Sequence, residues 1–259
     1  MKVDGAIAGL ALGLLLTSCA GAGRLPAAPR AETNARTPMQ PQPVAGAPPP
    51  ASGAVPANLG LLKVALGRYQ ASGAYGRDLA AVDAAAARWV IAQAPQVAHP
   101  ALVLDIDETS LSNWAEFRAN DYGFIPGGAC QRLPLGPCGF LAWVRAARAP
   151  ALAPTLHLAQ AARAAHVAIF FVTGRDEPLR AATAANLRRA GYAGWTDLIL
   201  EPARHRPYRS AADFKAPARA AIERRGYTIV ANVGDQESDL AGGHAMRGFK
   251  LPNPFYFLP

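Results

Sequence analysis

Between residues 59 and 94, apolar positions recur at three- and four-residue steps, with Leu79, Val82, Ala86, Trp89 and Val90 on one stripe and Pro95 ending the run. That spacing predicts a helix with one buried face. Beyond it the pattern changes. Residues 101–104, 167–172 and 228–233 are continuous apolar runs, each followed by polar positions, and residues 198–200 form a shorter run of the same kind. Hydrophobicity that does not alternate suits strands covered on both faces. Residues 178–190 and 216–225 read as helices, because Pro178 and Pro217 stand near their starts and Gly191 and Gly226 just past their ends. Strands alternating with helices predict an α/β fold: a Rossmann-like parallel sheet sandwiched by helices, with right-handed crossovers and an N-terminal helical extension. In such sheets ligands sit beyond the carboxyl ends of the strands. Asp105 and Asp107, Thr173 to Arg175, and Asp235 all lie there.

The first residues follow a different logic. A lysine at position 2, an apolar run over residues 6–16 that is too short to cross a bilayer comfortably, and a small-residue stop read as an export signal. Leu16-Thr17-Ser18-Cys19 resembles the bacterial lipobox, which implies cleavage before Cys19 and diacylation of that cysteine; an ordinary cleaved signal peptide is the competing reading. Residues 20–57 are rich in Pro, Ala and Gly without a hydrophobic period, the composition of a tether that cannot offset its ordering entropy. The expected organisation is a signal peptide over 1–18, a lipidated Cys19 with a disordered tether over 19–57, and one folded domain over 58–259. A lipid anchor at the N-terminus would make the membrane a partner. It would place the protein at the bacterial cell envelope, and Ala20 favours the outer membrane by analogy with lipoproteins whose retention signal is an aspartate at that place.

Composition narrows the classes. A chain of 259 residues with 51% hydrophobic and 17% charged residues has enough material for a sizeable core, which argues against a mini-protein. The formal net charge of +8 fits an acidic partner, and loss of residues 1–18 removes Lys2 and Asp4 together and leaves it unchanged. No nucleic-acid-binding module is present, so phosphorylated small molecules are the expected acidic partners rather than nucleic acid. Apart from Cys19, the cysteines are Cys130 and Cys138, separated by a Gly/Pro-containing loop. Export to an oxidising compartment predicts a disulfide between them, with two independent buried thiols as the alternative.

Three clusters carry candidate chemistry. In Asp105-Ile106-Asp107-Glu108-Thr109 the carboxylates at i and i+2 share a face at the end of a strand, while Ile106 turns inward. Thr173-Gly174-Arg175 offers a hydroxyl and free backbone N–H groups ahead of a helix, a natural place for a phosphate oxygen. Gly234-Asp235-Gln236-Glu237-Ser238-Asp239 adds carboxylates at the same sheet edge, an oxygen donor set suited to Mg²⁺. Lys215 is the only lysine between the second and third clusters and could balance a carboxylate and a phosphoryl oxygen.

In order, these segments resemble the four signature motifs of the haloacid dehalogenase superfamily of phosphohydrolases. Residues 105–113 (D-I-D-E-T-S-L-S-N), 226–240 and 249–256 resemble more narrowly the subfamily IIIB acid phosphatases, a group of bacterial lipoprotein enzymes and plant acid phosphatases related to vegetative storage proteins. The resemblance implies that Asp105 is the nucleophile and Asp107 the general acid and base, with its backbone carbonyl on the metal. Thr173, Gly174 and Lys215 would hold the phosphoryl group, and Asp105, Asp107, Asp235 and Asp239 would form the Mg²⁺ site. It leaves Arg175 without an assigned role.

The implied activity is Mg²⁺-dependent hydrolysis of phosphate monoesters at acid pH through an aspartyl-phosphate. Alternatives are a storage or ligand-binding protein on the same scaffold, or a phosphotransferase. Ser112 stands where many bacterial members have Asp, so the S-N pair leans toward the plant-like branch. Trp114, Phe117, Tyr122, Phe124, Phe140 and Trp143 belong to a segment expected to form a small cap insertion, where core packing is the more frequent fate of aromatic rings. Oligomeric state is left open.

Overall fold

A computed structural model describes residues 56–203 and 210–258. The expected signal peptide, Cys19 and nearly all of the tether lie outside the described residues. Two N-terminal helices, α1 (Leu59–Ala71) and α2 (Ala74–Gln93), precede the first strand, β1 (Pro100–Leu104). The insertion that follows carries α3 (Trp114–Ala119) and α4 (Phe140–Ala146). The remaining elements are α5 (Ala153–Ala164), β2 (Ala168–Asp176), α6 (Arg180–Arg189), β3 (Asp197–Glu201), α7 (Ala212–Arg224), β4 (Thr228–Gly234), α8 (Glu237–Leu240) and β5 (Gly248–Lys250).

The five strands form one parallel sheet in the order β3-β2-β1-β4-β5. Its two faces explain the unbroken apolar runs. Leu102 and Leu104 pack with Leu79, Val90 and Leu158 from α2 and α5. Ala101 and Val103 face the other way, onto Ala218 and Ile222 of α7. Strand order runs outward from β1 in both directions, so β1 and β4 flank the point where the winding reverses, the place where open α/β sheets bind ligands. The expected fold class is the observed one.

Several boundaries differ from the sequence reading. The helix expected over 59–94 is two helices, because Gly73 adopts a left-handed conformation (φ 72°) and turns the chain between Ala71 and Ala74. Thr173, Gly174 and Arg175 close β2, as expected, and the strand runs on to Asp176. Pro178 lies in a short 3₁₀ turn (Glu177–Leu179) ahead of α6. The helix expected from 216 begins at Ala212, with Pro217 inside it, which places Lys215 in its first turns. β5 was not anticipated: three residues, Gly-Phe-Lys, are too short for a pattern.

In the insertion, Cys130 and Cys138 are joined by a disulfide. Asn120 clasps its far end, taking the Cys138 N–H at 2.8 Å and donating to the Cys138 carbonyl at 2.8 Å.

Candidate active site

Register alone brings the three clusters to one rim. Leu104, the last residue of β1, pairs with Phe171 on β2 and with Val233 on β4. Asp105 follows Leu104 directly, and Thr173 and Asp235 stand two residues beyond Leu104's partners Phe171 and Val233. Asp105 continues the ladder by donating its N–H to the Val233 carbonyl at 3.0 Å. The chain then closes on itself, since Ser110 and Leu111 both donate backbone N–H groups to the Ile106 carbonyl (2.9 and 2.8 Å) and Ile106 is fully buried.

Lys215 reaches this rim from α7. Its Nζ donates to Asp105 Oδ1 at 2.6 Å and to Asp239 Oδ1 at 2.5 Å, and all three groups are buried. Asp235 is held on both oxygens: Thr109 Oγ1 donates to Oδ1 at 2.9 Å, while Gln236 Nε2 and Asn253 Nδ2 donate to Oδ2 at 2.6 and 2.7 Å. The other oxygen of Asp239 accepts the Gln236 N–H at 2.8 Å, as part of the capping box that starts α8. Carboxylate oxygens of Asp105, Asp235 and Asp239 lie within 4.8 Å of one another.

This crowding has an electrostatic signature. Burial lifts the Asp105 carboxyl well above its ordinary value; Lys215 pulls it down, and Asp239, Asp235 and Asp107 push it up again. Asp235 is raised too, by burial and then by Asp239. Burial works against the Lys215 charge, but Asp105 and Asp239 outweigh it and hold the ammonium charged. One ammonium thus faces three carboxylates. Oxygen-only donors with surplus negative charge fit a hard divalent cation, and the expected metal residues Asp105, Asp235 and Asp239 are the ones brought together.

Asp107 sits apart from that cluster. Arg175 Nη2 donates to its Oδ1 at 2.6 Å and Arg175 Nε to its Oδ2 at 3.0 Å. Asn113 Nδ2 adds a bond to Oδ1 at 2.8 Å. Burial alone would raise this carboxyl, but the guanidinium and the Asn113 amide overcome it and hold the group below its ordinary value. Its side chain is therefore not in position as a metal ligand beside the other three, and only its backbone carbonyl remains for the expected metal role.

Thr173 is fully buried, and its Oγ1 accepts the Arg175 N–H at 3.2 Å; Gly174 is exposed at the rim, with open space where a Cβ would stand. Both reach the rim through register rather than through contact with the carboxylates.

Sequence reasoning gave Arg175 no role and passed over Glu108, Thr109, Asn113, Trp143, Gln236 and Asn253 as site residues. Glu108 has a left-handed backbone (φ 53°), and its carboxylate accepts both the N–H and the side-chain amide of Asn113, at 2.6 and 2.9 Å. Burial, and then the Asp107 charge, raise the Glu108 carboxyl well above its ordinary value. The available signal was Arg175 itself, a lone cation directly after Thr-Gly at a strand end. Contacts such as Thr109 to Asp235, 126 positions apart, leave no local trace.

The profile of the HAD superfamily, subfamily IIIB (Acid phosphatase), matches residues 61–259. Among curated proteins, the Stem 28 kDa glycoprotein of Glycine max is 37% identical over 164 residues, 62% of this chain and 61% of that protein. Acid phosphatase 1 of Solanum lycopersicum is 36% identical over 157 residues, 60% of this chain and 58% of that protein. Vegetative storage protein 1 of Arabidopsis thaliana is 30% identical over 158 residues, 61% of this chain and 55% of that protein. The matches thus span only 55% to 61% of these relatives' lengths. Among solved structures, the class C acid phosphatase from Bacillus anthracis superposes with a TM-score of 0.58 at 20% identity, covering 77% of this chain and 85% of that one. At that identity the likeness speaks for the fold.

Proposed function

The chain belongs to subfamily IIIB of the HAD superfamily, the acid phosphatases, and from that premise we propose that it hydrolyses small-molecule phosphate monoesters through an aspartyl-phosphate formed on Asp105. One observation carries this reading: a buried carboxylate at the β1 terminus is bridged to a buried ammonium within a cluster of carboxylates, and a second carboxyl stands two residues on, gripped by an arginine.

Asp105 attacks phosphorus; the bond from phosphorus to the ester oxygen breaks, and that oxygen takes a proton from Asp107. Water then attacks the same phosphorus and gives its proton to Asp107, which frees inorganic phosphate and restores Asp105. Lys215 balances the negative charge on Asp105 and on the arriving phosphoryl oxygens, which Thr173 and the Gly174 backbone also meet at the rim. In the free protein Arg175 favours ionised Asp107. A phosphoryl dianion alongside shifts that balance toward the protonated form, and mildly acidic pH does the same.

The metal would be held by Asp105 and Asp235, with the Asp107 backbone carbonyl and with Asp239 in support. When bound, Mg²⁺ supplies positive charge that neutralises phosphoryl oxygens. The surplus of carboxylates over ammonium supports this assignment.

The test is turnover of para-nitrophenyl phosphate by the purified chain. Activity should require a divalent cation, vanish with EDTA, return with Mg²⁺, and be absent in folded Asp105→Asn. Metal-independent turnover or an active Asp105→Asn protein overturns the mechanism. Proteins named for storage occur among the relatives. Against a storage role here stands the presence of Asp105, Lys215 and Asp235 together. Phosphotransfer is separated from hydrolysis by product analysis with an added alcohol acceptor.

The N-terminal pattern supports a lipid-anchored protein of the bacterial cell envelope, on the outer membrane. Among the described residues no helix is long and apolar enough to cross a membrane.

A further inference from the structure

Asn113 is fully buried and lies between two different kinds of partner. Its Oδ1 accepts from Trp143 Nε1 at 2.8 Å, and its Nδ2 donates to Asp107 Oδ1 at 2.8 Å and Glu108 Oε2 at 2.9 Å. An indole nitrogen can only donate and the Asp107 carboxylate, paired with Arg175, can only accept, so these two fix the amide in one orientation, in which Nδ2 also reaches Glu108. The flipped amide would set donor against donor at Trp143 and oxygen against the Asp107 carboxylate. Glu108 locks the backbone as well, by taking the Asn113 N–H at 2.6 Å.

The opposite flank of Asp107 is fixed by Arg175, whose Nη1 also reaches Thr183 Oγ1 at 3.3 Å. Oδ1 of Asp107 therefore receives close bonds from Arg175 Nη2 and Asn113 Nδ2, at 2.6 and 2.8 Å, which fill its two acceptor positions. Oδ2 receives only Arg175 Nε, at 3.0 Å, and the Asp107 side chain keeps 20% exposure while Arg175 and Asn113 beside it are buried.

We infer that Asn113, oriented by Trp143, is a positioning residue for the leaving-group step: it turns Asp107 so that Oδ2 carries the transferable proton toward the ester oxygen. The inference rests on the phosphatase reading above. Trp143 belongs to α4 of the insertion, so the insertion reaches the chemistry through one indole N–H.

The experiment compares kcat/KM for two esters of similar size in the full chain, benzyl phosphate and para-nitrophenyl phosphate. The benzyl alkoxide needs a proton in order to leave, whereas para-nitrophenolate departs as a stable anion. Because kcat/KM reports only steps up to the first irreversible one, the ratio isolates ester cleavage from later hydrolysis. Asn113→Ala should lose about 100-fold on benzyl phosphate and at most about 3-fold on para-nitrophenyl phosphate, the range expected when general-acid catalysis is misaligned. Trp143→Phe keeps an aromatic ring and removes the N–H; it should show the same asymmetry at about 10-fold, and it carries the test if Asn113→Ala does not fold. Leu158→Ala, a core substitution in α5, serves as a destabilised control whose ester ratio should stay at the wild-type value.

Equal losses on both esters in Trp143→Phe, or a ratio that shifts as far in Leu158→Ala, overturn the positioning role while leaving the phosphatase reading intact. A wild-type chain inert toward both esters with Mg²⁺ present overturns the two together.

Discussion

Asn253 donates to the same Asp235 oxygen that accepts from Gln236, so a residue beyond β5 orients one carboxylate of the cluster proposed to hold the metal. Partners of this kind set ligand direction without touching the ion. Asn253→Ala should raise the Mg²⁺ concentration for half-maximal activity by about 10-fold, with kcat at saturating Mg²⁺ little changed, as read from a metal titration of turnover. Asp105 and Asp235 could be found in the sequence because each ends an apolar run, where a parallel sheet exposes its ligand edge. Asn113, Thr109 and Asn253 could not, since an amide or hydroxyl in a loop becomes informative only once the acceptor it faces is known. Arg175 was visible as a residue yet not as a partner of Asp107, because the 68 positions between them are bridged only by the pairing of β1 with β2.

Where α2 meets α5, Asp83 is buried, accepts the Thr155 hydroxyl at 2.9 Å on one oxygen and leaves its other oxygen without a partner. Burial pushes this carboxyl up to about 6, with the Thr155 bond pulling the other way. The folded protein thus binds that proton more tightly than the unfolded chain. Ionisation costs nothing near or below about pH 4, costs more as pH rises, and costs its full amount, at most about 3 kcal/mol, above about pH 6. Asp83→Asn removes the charge and should stabilise the protein by about 1–3 kcal/mol at about pH 8 and by nothing at about pH 4, measured by urea unfolding at both. The same pair of helices shows what periodicity conveys. The stripe of Leu79, Ala86 and Val90 was legible because it repeats with the helix, whereas Ala-rich α5 was not singled out. The break at Gly73 turns on one φ angle that a run of apolar residues does not encode.

As a whole, the chain joins a folded phosphatase scaffold to an N-terminal segment whose sequence resembles a lipobox. If Cys19 is acylated, radiolabelled palmitate should be incorporated by cells expressing the protein, and Cys19→Ala should abolish the label and move activity from the membrane fraction to the soluble fraction. Label that persists in Cys19→Ala would remove the anchor assignment. The global pattern, with strands as apolar runs and helices between them, was readable because both faces of the sheet are covered. The shape of the insertion was not, since it depends on the disulfide and on Asn120 grasping one end of it. Asn253 binds Asp235 and the Leu258 N–H binds Gln236 Oε1 at 3.1 Å, so the rim founded by β1 is finished by residues that follow the sheet's fifth strand. A polypeptide severed just past β5 would leave Asp235 and Gln236 without those two partners, and cleavage in that short stretch should loosen the rim from a distance.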